Sequence, residues 1–558
     1  MFYDDYVNVD NNAKTWNEKS DSFSLNVPKK FNFAYDVVDR FAKETPEKEA
    51  LVWTSDEEDD RIYSFGSLAK EVNKTANYLT SLGLKKGDRI MILVRTRYEF
   101  WYLLLASHKI GAIVIPATIQ LLQNDLEYRF KTAEVSAIFA FGVGRLQEFI
   151  DAACQTCNMN PIKVTIGNSR DNWHCFDKEY AQFSDVFEKP KGEAYACDED
   201  ISVVYFTSGT SGEPKMVAHN FLYPLGHIVT AKYWQCVTEN GRHLTLAETG
   251  WAKALWGKIY GQWLCGCAVF VYDTKRFVPK LMLQKIADYH VNSFCAPSTV
   301  YRYLIREDFS QFDLSALTEC TTAGEALPHD VFDTFLAKTG LKIREGYGQT
   351  ELTLTTSNFP GMEVKTGSIG LPAPGYDIDL IDKEGNSCKT GEAGEIVLRL
   401  DKGRPFGMFG GYYKDKEKTA QTFAGGIYHT HDIAIRDEDG YFWFQGRTDD
   451  LIKSSGYRIS PFEVENILLK HPAVFECAVT GVPDEKRGQA IKATIVVKEG
   501  YEANEELTKD ILFHARSQGA NYKIPRIIEF VKELPKTISG KVRRVEIREK
   551  HEASMKNK

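Results

Sequence analysis

Short apolar runs alternate with amphipathic segments through most of the chain before residue 400, and this alternation restricts the fold more than any other feature. Strand-like runs lie at residues 88–94, 111–117, 136–141, 202–207 and 267–272. Between them lie helix-like segments such as residues 65–83. Strands that alternate with helices are typical of α/β proteins with largely parallel sheets. The sequence therefore predicts the α/β class.

The domain organisation follows from length and from two changes of pattern. A chain of 558 residues is too long for a single ordinary core. Residues 367–400 are rich in glycine and in alternating apolar and polar residues, which indicates a small β-rich subdomain. From residue 449 the pattern becomes that of a compact α+β module, with a helix at about 506–519. We predict a large N-terminal domain, 1–448, built of layered α/β subdomains, and a small mobile C-terminal domain, 449–558.

Composition narrows the class of partner and the compartment. A net charge of −8 argues against a nucleic-acid partner, which requires a basic surface. The first ten residues lack the basic and apolar regions of a secretory signal. The most apolar stretch, 100–118, is interrupted by His108, Lys109 and Pro116, so no transmembrane segment is expected. Cys154 and Cys157 form an isolated C-x-x-C, which is weak evidence for zinc. We expect a cytoplasmic protein.

A strand followed by a glycine-rich loop that ends in lysine, "VVYFTSGTSGEPK" at 203–215, indicates a phosphate site. Glycines allow backbone amides to approach an anion closely, and hydroxyl groups and the lysine add donors and charge. The spacing differs from that of the common nucleotide-binding loop, in which a glycine is followed by four residues and then by Gly-Lys-Ser/Thr. The candidate phosphate-binding residues are Thr207, Ser208, Gly209, Thr210, Ser211, Gly212 and Lys215.

Three further stretches carry candidate chemistry, although each taken alone also fits a polar loop, a hairpin or a solvated basic run. "REGYGQTE" (344–351) offers Glu351 for a magnesium ion, Thr350 for a phosphate oxygen and Tyr347 for a base. In residues 428–459, Asp432 is suited to the hydroxyl groups of a ribose. Arg447 and Arg458 of the same stretch suit a phosphate or ribose. "LPKTISGKVRR" (534–544) places Lys541 after a Ser-Gly turn.

In this order and at these separations, the four stretches resemble the adenylate-forming superfamily over residues 30–547, and especially the medium-chain acyl-CoA synthetases, including their archaeal branch. The resemblance implies an acid–thiol ligase that uses ATP, Mg²⁺ and coenzyme A. A short- to medium-chain, branched or aryl carboxylic acid attacks the α-phosphorus of ATP and releases pyrophosphate. Coenzyme A then displaces AMP from the acyl-adenylate.

The same resemblance assigns roles to individual residues. Lys541 matches the lysine that bridges the acyl carboxylate and the α-phosphate, while Thr350 and Glu351 match the α-phosphate contact and the magnesium ligand. Asp449 matches the hinge of the C-terminal domain. The remaining positions that match adenine, ribose and pantetheine contacts are Gly324, Glu325, Ala326, Tyr347, Asp432, Arg447, Gly456 and Arg458.

Two positions depart from the family pattern. His431 replaces a glycine beside the ribose contact Asp432, and histidine reaches unusual backbone angles less easily than glycine. Gly348 stands where acetyl- and propionyl-specific relatives have a tryptophan. We expect this glycine to leave the acyl pocket open, with Trp251 and Trp256 forming its far wall.

Two other functions remain open at this point: acyl transfer to the phosphopantetheine of a carrier protein, and an inactive nucleotide-binding regulator. Retention of Glu351 and Lys541 argues against the regulator. The resemblance also implies a homodimer and regulation of Lys541 by a lysine acetyltransferase and deacetylase. Acetylation removes the bridging charge.

Overall fold

Two large sheets flanked by helices form the body of the chain in the computed structural model. Its described residues are 2–10, 12–207, 213–325, 327–448, 450–454, 457–484, 487–518, 523–537 and 541–556. Both sheets are mixed, with parallel strands at their centres and antiparallel strands at one or both edges. This arrangement confirms the predicted α/β class.

The first sheet leads to the predicted phosphate loop. Its strands, in spatial order, are Gly411–Tyr412, Lys215–Asn220, Ile201–Thr207, Ile113–Pro116, Arg89–Leu93, Ala137–Phe141, Ile162–Ile166 and His174–Cys175. The central strands are apolar along their length because helices cover both faces of a parallel sheet. The strand Ile201–Thr207 ends where the loop begins.

The second sheet carries the Gln-Thr-Glu motif, residues 349–351 of the stretch "REGYGQTE". Its strands, in spatial order, are Leu371–Pro372, Leu354–Ser357, Ile343–Gly348, Glu319–Ala323, Ser293–Cys295, Arg242–Thr245, Ala268–Asp273, Glu49–Ser55 and Arg61–Ser64. The motif follows the carboxyl end of Ile343–Gly348, beside the end of Glu319–Ala323. Ligand sites of open α/β sheets lie at this edge.

Two smaller sheets complete the chain. The predicted β-rich segment, 367–400, contributes the strands Ile378–Ile381 and Ala393–Arg399 to an antiparallel sheet. This sheet also includes Ile427–Arg436 and Phe442–Arg447, which lie outside the predicted range. The C-terminal sheet comprises Tyr457–Ile459, Ile452–Ser454, Gly488–Val497 and Val474–Asp484, with Ile527–Phe530 paired in parallel to Gly488–Val497. A short pair, Val7–Asn8 and Ser24–Leu25, lies near the N-terminus.

Several helices cover the sheets with one apolar face, whereas Glu99–Ile110 is buried on every side and Trp16–Ser22 has no buried residue. In Phe65–Ser81, for example, the Ser64 hydroxyl accepts a hydrogen bond from the Ser67 amide and so caps the first turn. The other α-helices are Trp16–Ser22, Arg40–Glu44, Glu99–Ile110, Gln123–Ala133, Leu146–Cys157, Phe176–Glu179, Tyr223–Ile228, Ala252–Gly257, Tyr260–Leu264, Pro279–Asp288, Ser298–Leu304, His329–Thr339, Lys416–Thr422, Pro461–Leu469, Glu505–Gln518 and Arg544–Lys556. Within the described ranges, none of these helices is both long and apolar enough to span a membrane.

A buried carboxyl group ties two loops to the second sheet. Glu345 lies on the strand Ile343–Gly348 and is 4% exposed. Its oxygens accept backbone hydrogen bonds from Leu327 at 3.0 Å and from Gly367 at 2.8 Å. Burial disfavours the charged form and raises the pKa of Glu345 from 4.5 to about 8, against the effect of the two amides.

This shifted pKa predicts a pH dependence of stability. The folded state holds a proton that the unfolded state releases, so Glu345 stabilises the fold fully below pH 4.5. Its contribution falls as the pH rises to about 8, by up to about 1.4 kcal/mol per pH unit. Glu345→Gln should flatten the fall of the thermal midpoint between these limits. The exposed Glu384→Gln is the control, and equal slopes for wild type and Glu345→Gln would contradict the assignment.

Candidate active site

The predicted phosphate loop joins two antiparallel strands of the first sheet. Thr207 and Lys215 are directly opposite one another in the register of these strands. The Tyr128 hydroxyl donates a 2.9 Å hydrogen bond to the Pro214 carbonyl and so holds the end of the loop against a helix. Residues 208–212, which carry the other predicted loop contacts Ser208, Gly209, Thr210, Ser211 and Gly212, lie outside the described part of the chain.

Lys215 lies near the Gln-Thr-Glu motif of the second sheet. Its amine is 5.2 Å from the ring centre of Tyr412, and the Tyr412 hydroxyl donates a 2.9 Å hydrogen bond to Glu351 Oε1. The Phe409 amide donates to the Glu351 carbonyl at 2.8 Å. The two sheets therefore bring a cation and a half-buried carboxylate to one cleft, with Thr350 beside them.

Asp432 is the centre of a buried polar group at the other end of this cleft. Its Oδ2 accepts hydrogen bonds from the Tyr347 hydroxyl and the Gln349 amide, both at 2.6 Å. Arg447 lies 3.7 Å from Oδ1. Burial raises the pKa of Asp432, while Arg447, Tyr347 and Gln349 oppose that shift. The Gln349 side chain in turn accepts a 2.7 Å hydrogen bond from the Tyr428 hydroxyl.

The segment predicted to face adenine follows the neighbouring strand Glu319–Ala323. Gly324 has φ +95°, a backbone conformation that favours glycine. The Glu325 carboxylate turns toward the helix Ser298–Leu304, where it accepts hydrogen bonds from the Ser298 and Thr299 hydroxyls at 3.1 and 2.8 Å. Ala326 lies outside the described residues.

Lys541 of the C-terminal domain faces this cleft. The residue is exposed to solvent, and desolvation by the protein atoms that line the cleft lowers the pKa of its amine. The positive charges of Arg447 and Lys253 lower the pKa of Lys541 further, whereas the negative charges of Asp432 and Glu325 oppose the shift. Its turn is closed by hydrogen bonds with Thr537, at 2.7 and 3.1 Å.

The two domains contact one another away from the cleft as well. Arg302 donates a 2.7 Å hydrogen bond to the Phe475 carbonyl, and Ser460 donates to the Gln445 carbonyl. Arg458 lies on the strand Tyr457–Ile459, opposite Lys453. The predicted hinge Asp449 and the predicted pantetheine-side Gly456 lie outside the described residues.

The surroundings of Gly348 differ from our expectation. A β-carbon at this position would lie 2.6 Å from the Trp256 ring and 2.3 Å from the Thr353 carbonyl oxygen. The glycine therefore does not leave an open space, because the Trp256 indole occupies it. Trp256 is buried, and its Nε1 donates a 3.1 Å hydrogen bond to the Tyr223 hydroxyl. Trp251 is half-buried and precedes the helix Ala252–Gly257.

Several polar residues of the cleft were missed in the sequence. Gln349 was inside a quoted motif, and its position between Tyr347 and Thr350 was a usable signal. The sequence held no signal for Tyr412, because only the folding of the first sheet brings its hydroxyl to Glu351. Lys253 donates a 2.8 Å hydrogen bond to the Ala323 carbonyl; the sequence had left it open between a contact to a polar substituent of the acid and a solvated lysine.

The donor set is compatible with a magnesium ion that is bound mainly through phosphates. Magnesium usually keeps several waters and takes one or two protein carboxylates plus phosphate oxygens. Glu351 supplies such a carboxylate, since Tyr412 occupies only its Oε1. No group of three or more Asp, Glu, His or Cys residues suited to a metal occurs among the residues that the structure describes.

His431 adopts the backbone conformation that glycine would adopt, with φ +60°. Its amide donates to Glu395 Oε1 at 2.9 Å, and its carbonyl accepts from the Thr448 amide and hydroxyl at 2.9 and 2.8 Å. The imidazole Nδ1 is 3.5 Å from the same carboxylate. Hydrogen bonds to both the amide and the carbonyl of His431 therefore hold the neighbouring Asp432 in place.

Comparison with known proteins adds independent evidence. Residues 38–413 match the family described as AMP-binding enzyme, and residues 463–541 match its C-terminal domain. The chain is 38% identical over 549 residues to the acyl-coenzyme A synthetase ACSM3, mitochondrial, of Homo sapiens, covering 97% of this chain and 93% of that protein.

Solved structures of other proteins match the fold of this chain over most of its length. The anthranilate CoA ligase AuaEII in complex with anthranoyl-AMP has a TM-score of 0.86 and 30% identity, and the match covers 95% of this chain and 99% of that one. A benzoate CoA ligase from Burkholderia xenovorans LB400 has a TM-score of 0.80 and 25% identity, covering 93% and 100%.

The contacts of His431 predict how substitutions there affect the nucleotide site. Glycine keeps the same backbone bonds, so His431→Gly should leave the KM for ATP within about twofold. A β-branched residue is a genuine outlier at this φ, so His431→Val should raise that KM by about tenfold or more and lower the thermal midpoint. Steady-state kinetics with varied ATP test both. A large loss in His431→Gly would mean that the imidazole itself acts on the nucleotide.

Proposed function

This chain belongs to the family of AMP-binding enzymes, and we propose that it is an AMP-forming acyl-CoA synthetase. It joins a short- to medium-chain, branched or aryl carboxylic acid to coenzyme A through an acyl-adenylate. ATP supplies the adenylyl group and leaves as AMP and pyrophosphate. The names of its relatives, an acyl-CoA synthetase and two aryl-CoA ligases, support this proposal.

One observation carries the proposal: the C-terminal domain presents Lys541 to the cleft that contains Asp432 and Arg447. Lys215 and Glu351 lie at the phosphate end of the same cleft. The first step brings a carboxylate to a triphosphate, and both are anions. Fixed cations aimed at the developing charge lower that barrier.

We assign the first step to residues of this cleft. The substrate carboxylate oxygen forms a bond to the α-phosphorus as the bond to the bridging oxygen breaks, and pyrophosphate leaves. Lys541 holds the carboxylate against the α-phosphate, and Thr350 bonds the same phosphate. Thr207, Lys215 and the glycine-rich loop between them hold the phosphates that leave. A magnesium ion at Glu351 would neutralise charge on the phosphates.

Asp432 and Arg447 hold the ribose, and Tyr347 with Gly324 and Glu325 forms the adenine side. The buried, hydrogen-bonded state of Asp432 supports this assignment, because an ordered carboxylate can accept both ribose hydroxyls. We also assign Ala326 to the adenine contacts, by its match to the family pattern.

For the second step we propose that residues 449–558 rotate about Asp449 as a mobile domain, which removes Lys541 and presents Gly456 and Arg458. The coenzyme A sulfur then attacks the acyl carbonyl, the thiol proton is released and AMP departs. The exposed position of Lys541 supports this, since a residue in an open cleft can withdraw without breaking a packed core.

Three accompanying features are also proposals: a homodimer, acetylation and deacetylation of Lys541, and a cytoplasmic location. The exposure of Lys541 gives a modifying enzyme access to it. The relative ACSM3 is described as mitochondrial, so cell fractionation is needed to test the compartment. Light scattering tests the dimer, and mass spectrometry of Lys541 tests the acetylation.

Replacement of Lys541 tests the proposed function. Lys541→Ala should lower acid-dependent pyrophosphate release by about a hundred- to a thousand-fold, because one transition-state donor is lost. Thioester formation from a preformed acyl-adenylate and coenzyme A should be largely retained, because that step does not need the bridge. Pyrophosphate release and thioester formation are both measured with acids from acetate to dodecanoate, including branched and aryl members.

The exposed Lys532→Ala, in the same domain, is the matched control and should leave both steps unchanged. Pyrophosphate release by the wild type that is unaffected by coenzyme A, with no thioester formed, would favour a carrier-protein acceptor. No turnover with any acid would favour an inactive nucleotide-binding protein.

The contact between Trp256 and Gly348 predicts the acid preference. Trp256→Phe shortens the wall of the acyl pocket, so the acid with the highest kcat/KM should be longer by one or two carbons. Each additional buried methylene contributes about 0.8 kcal/mol. Trp443→Phe, a half-buried tryptophan of the β-rich subdomain, is the control. An unchanged optimum in Trp256→Phe would place the wall elsewhere.

A further inference from the structure

His219 is a buried histidine that contacts the Gln-Thr-Glu motif from the neighbouring sheet. It lies near the end of the strand Lys215–Asn220, is 0% exposed, and its Nε2 is 2.7 Å from the Thr350 carbonyl oxygen. A carbonyl only accepts, so Nε2 carries the hydrogen. Burial lowers the pKa of His219 to about 3, so the ring is neutral and its other nitrogen carries no hydrogen.

The ring has little freedom to turn. It stacks on Tyr223 with a centroid distance of 3.8 Å and an interplanar angle of 26°. The Tyr223 hydroxyl accepts the hydrogen bond from Trp256, whose indole contacts Gly348. The orientation of His219 therefore depends on the side chain that forms the acyl wall.

His219 shares its strand with the candidate phosphate ligand Lys215. The peptide group that accepts from His219 joins Thr350 to Glu351. The Glu351 side chain and carbonyl are in turn held by Tyr412 and by the Phe409 amide. Tyr412 and Phe409 belong to the segment beside the same strand, where the Gly410 amide donates to Ala218 at 3.1 Å.

We propose that His219 is a positioning residue for adenylation, which sets Thr350 and Glu351 against the strand that carries Lys215. This inference rests on the proposed function, because it assigns no new reaction. Without His219 the Thr350 carbonyl loses its donor from this strand, and the peptide group between Thr350 and Glu351 loses one of the contacts that orient it. The magnesium carboxylate and the α-phosphate contact then lose their fixed distance from Lys215.

The test compares His219→Leu with His219→Gln, because the glutamine amide nitrogen reaches the position of Nε2 and can donate to Thr350. His219→Leu should raise the KM for MgATP and the Mg²⁺ concentration at half-maximal rate, and lower acid-dependent pyrophosphate release. The loss in kcat/KM for MgATP should be about ten- to a hundred-fold, as expected when an acceptor shielded from bulk water loses its donor. His219→Gln should stay within about threefold of wild type.

Thioester formation from a preformed acyl-adenylate is the internal reference and should keep its KM for coenzyme A in both variants. His243→Gln is the matched control, because His243 is equally buried but bonds Ser293 and Thr245 rather than the Gln-Thr-Glu motif. It should keep wild-type kinetics whatever its thermal midpoint. If His219→Leu does not fold, His219→Asn replaces it, since the shorter amide does not reach Thr350.

Equal losses in His219→Leu and His219→Gln, or wild-type kinetics in His219→Leu, would overturn the positioning role while leaving the proposed function intact. A matching loss in His243→Gln would also overturn it, because the effect would then be one of general stability. Absence of acid-dependent pyrophosphate release in the wild type would instead refute the proposed function.

Discussion

The buried Asp432 carboxylate is the interaction on which the arrangement of the cleft depends. A carboxylate removed from water is costly unless donors and a cation compensate it. Here the donors Tyr347 and Gln349 come from the second large sheet, whereas Asp432 and Arg447 belong to the β-rich subdomain. Satisfying this one group therefore fixes the subdomain against the sheet. The same contact orients Tyr347 and Gln349, which belong to the motif that leads to Thr350 and Glu351.

At the phosphate end of the cleft, residues of the second sheet are likewise held by contacts from the first. Glu351 is held by Tyr412 and Phe409, and Thr350 by His219, all from the region of the first sheet. Each sheet supplies one half of the site and is held by polar contacts to the other half. A cleft built in this way holds its polar groups in place before substrate arrives, which reduces the reorganisation needed when two anions react.

The sequence predicted the α/β class. It located the start of the β-rich subdomain but not its last two strands, Ile427–Arg436 and Phe442–Arg447. It predicted the apolar strands with small errors at their ends. The run at 202–207, for example, is the strand Ile201–Thr207, and the helix expected at about 506–519 is Glu505–Gln518. These elements were predictable for two reasons. A strand buried on both faces requires a continuous apolar run, and in a helix with one buried face the apolar residues recur every three to four positions. The environment of Gly348 was not predictable, since a missing side chain reveals nothing about which neighbour fills the space.

By itself, therefore, the sequence determined the chemical types available: a glycine-rich loop ending in Lys215, the acids Glu351 and Asp432, and a lysine, Lys541, near the far end of the chain. It also determined the elements that carry them, because local periodicity is set by neighbours in the chain. Only the tertiary structure decided that Tyr412 contacts Glu351, that His219 contacts Thr350 and that Trp256 occupies the space beside Gly348. Such contacts join residues far apart in sequence, and their distances depend on how whole sheets pack, which no local pattern encodes.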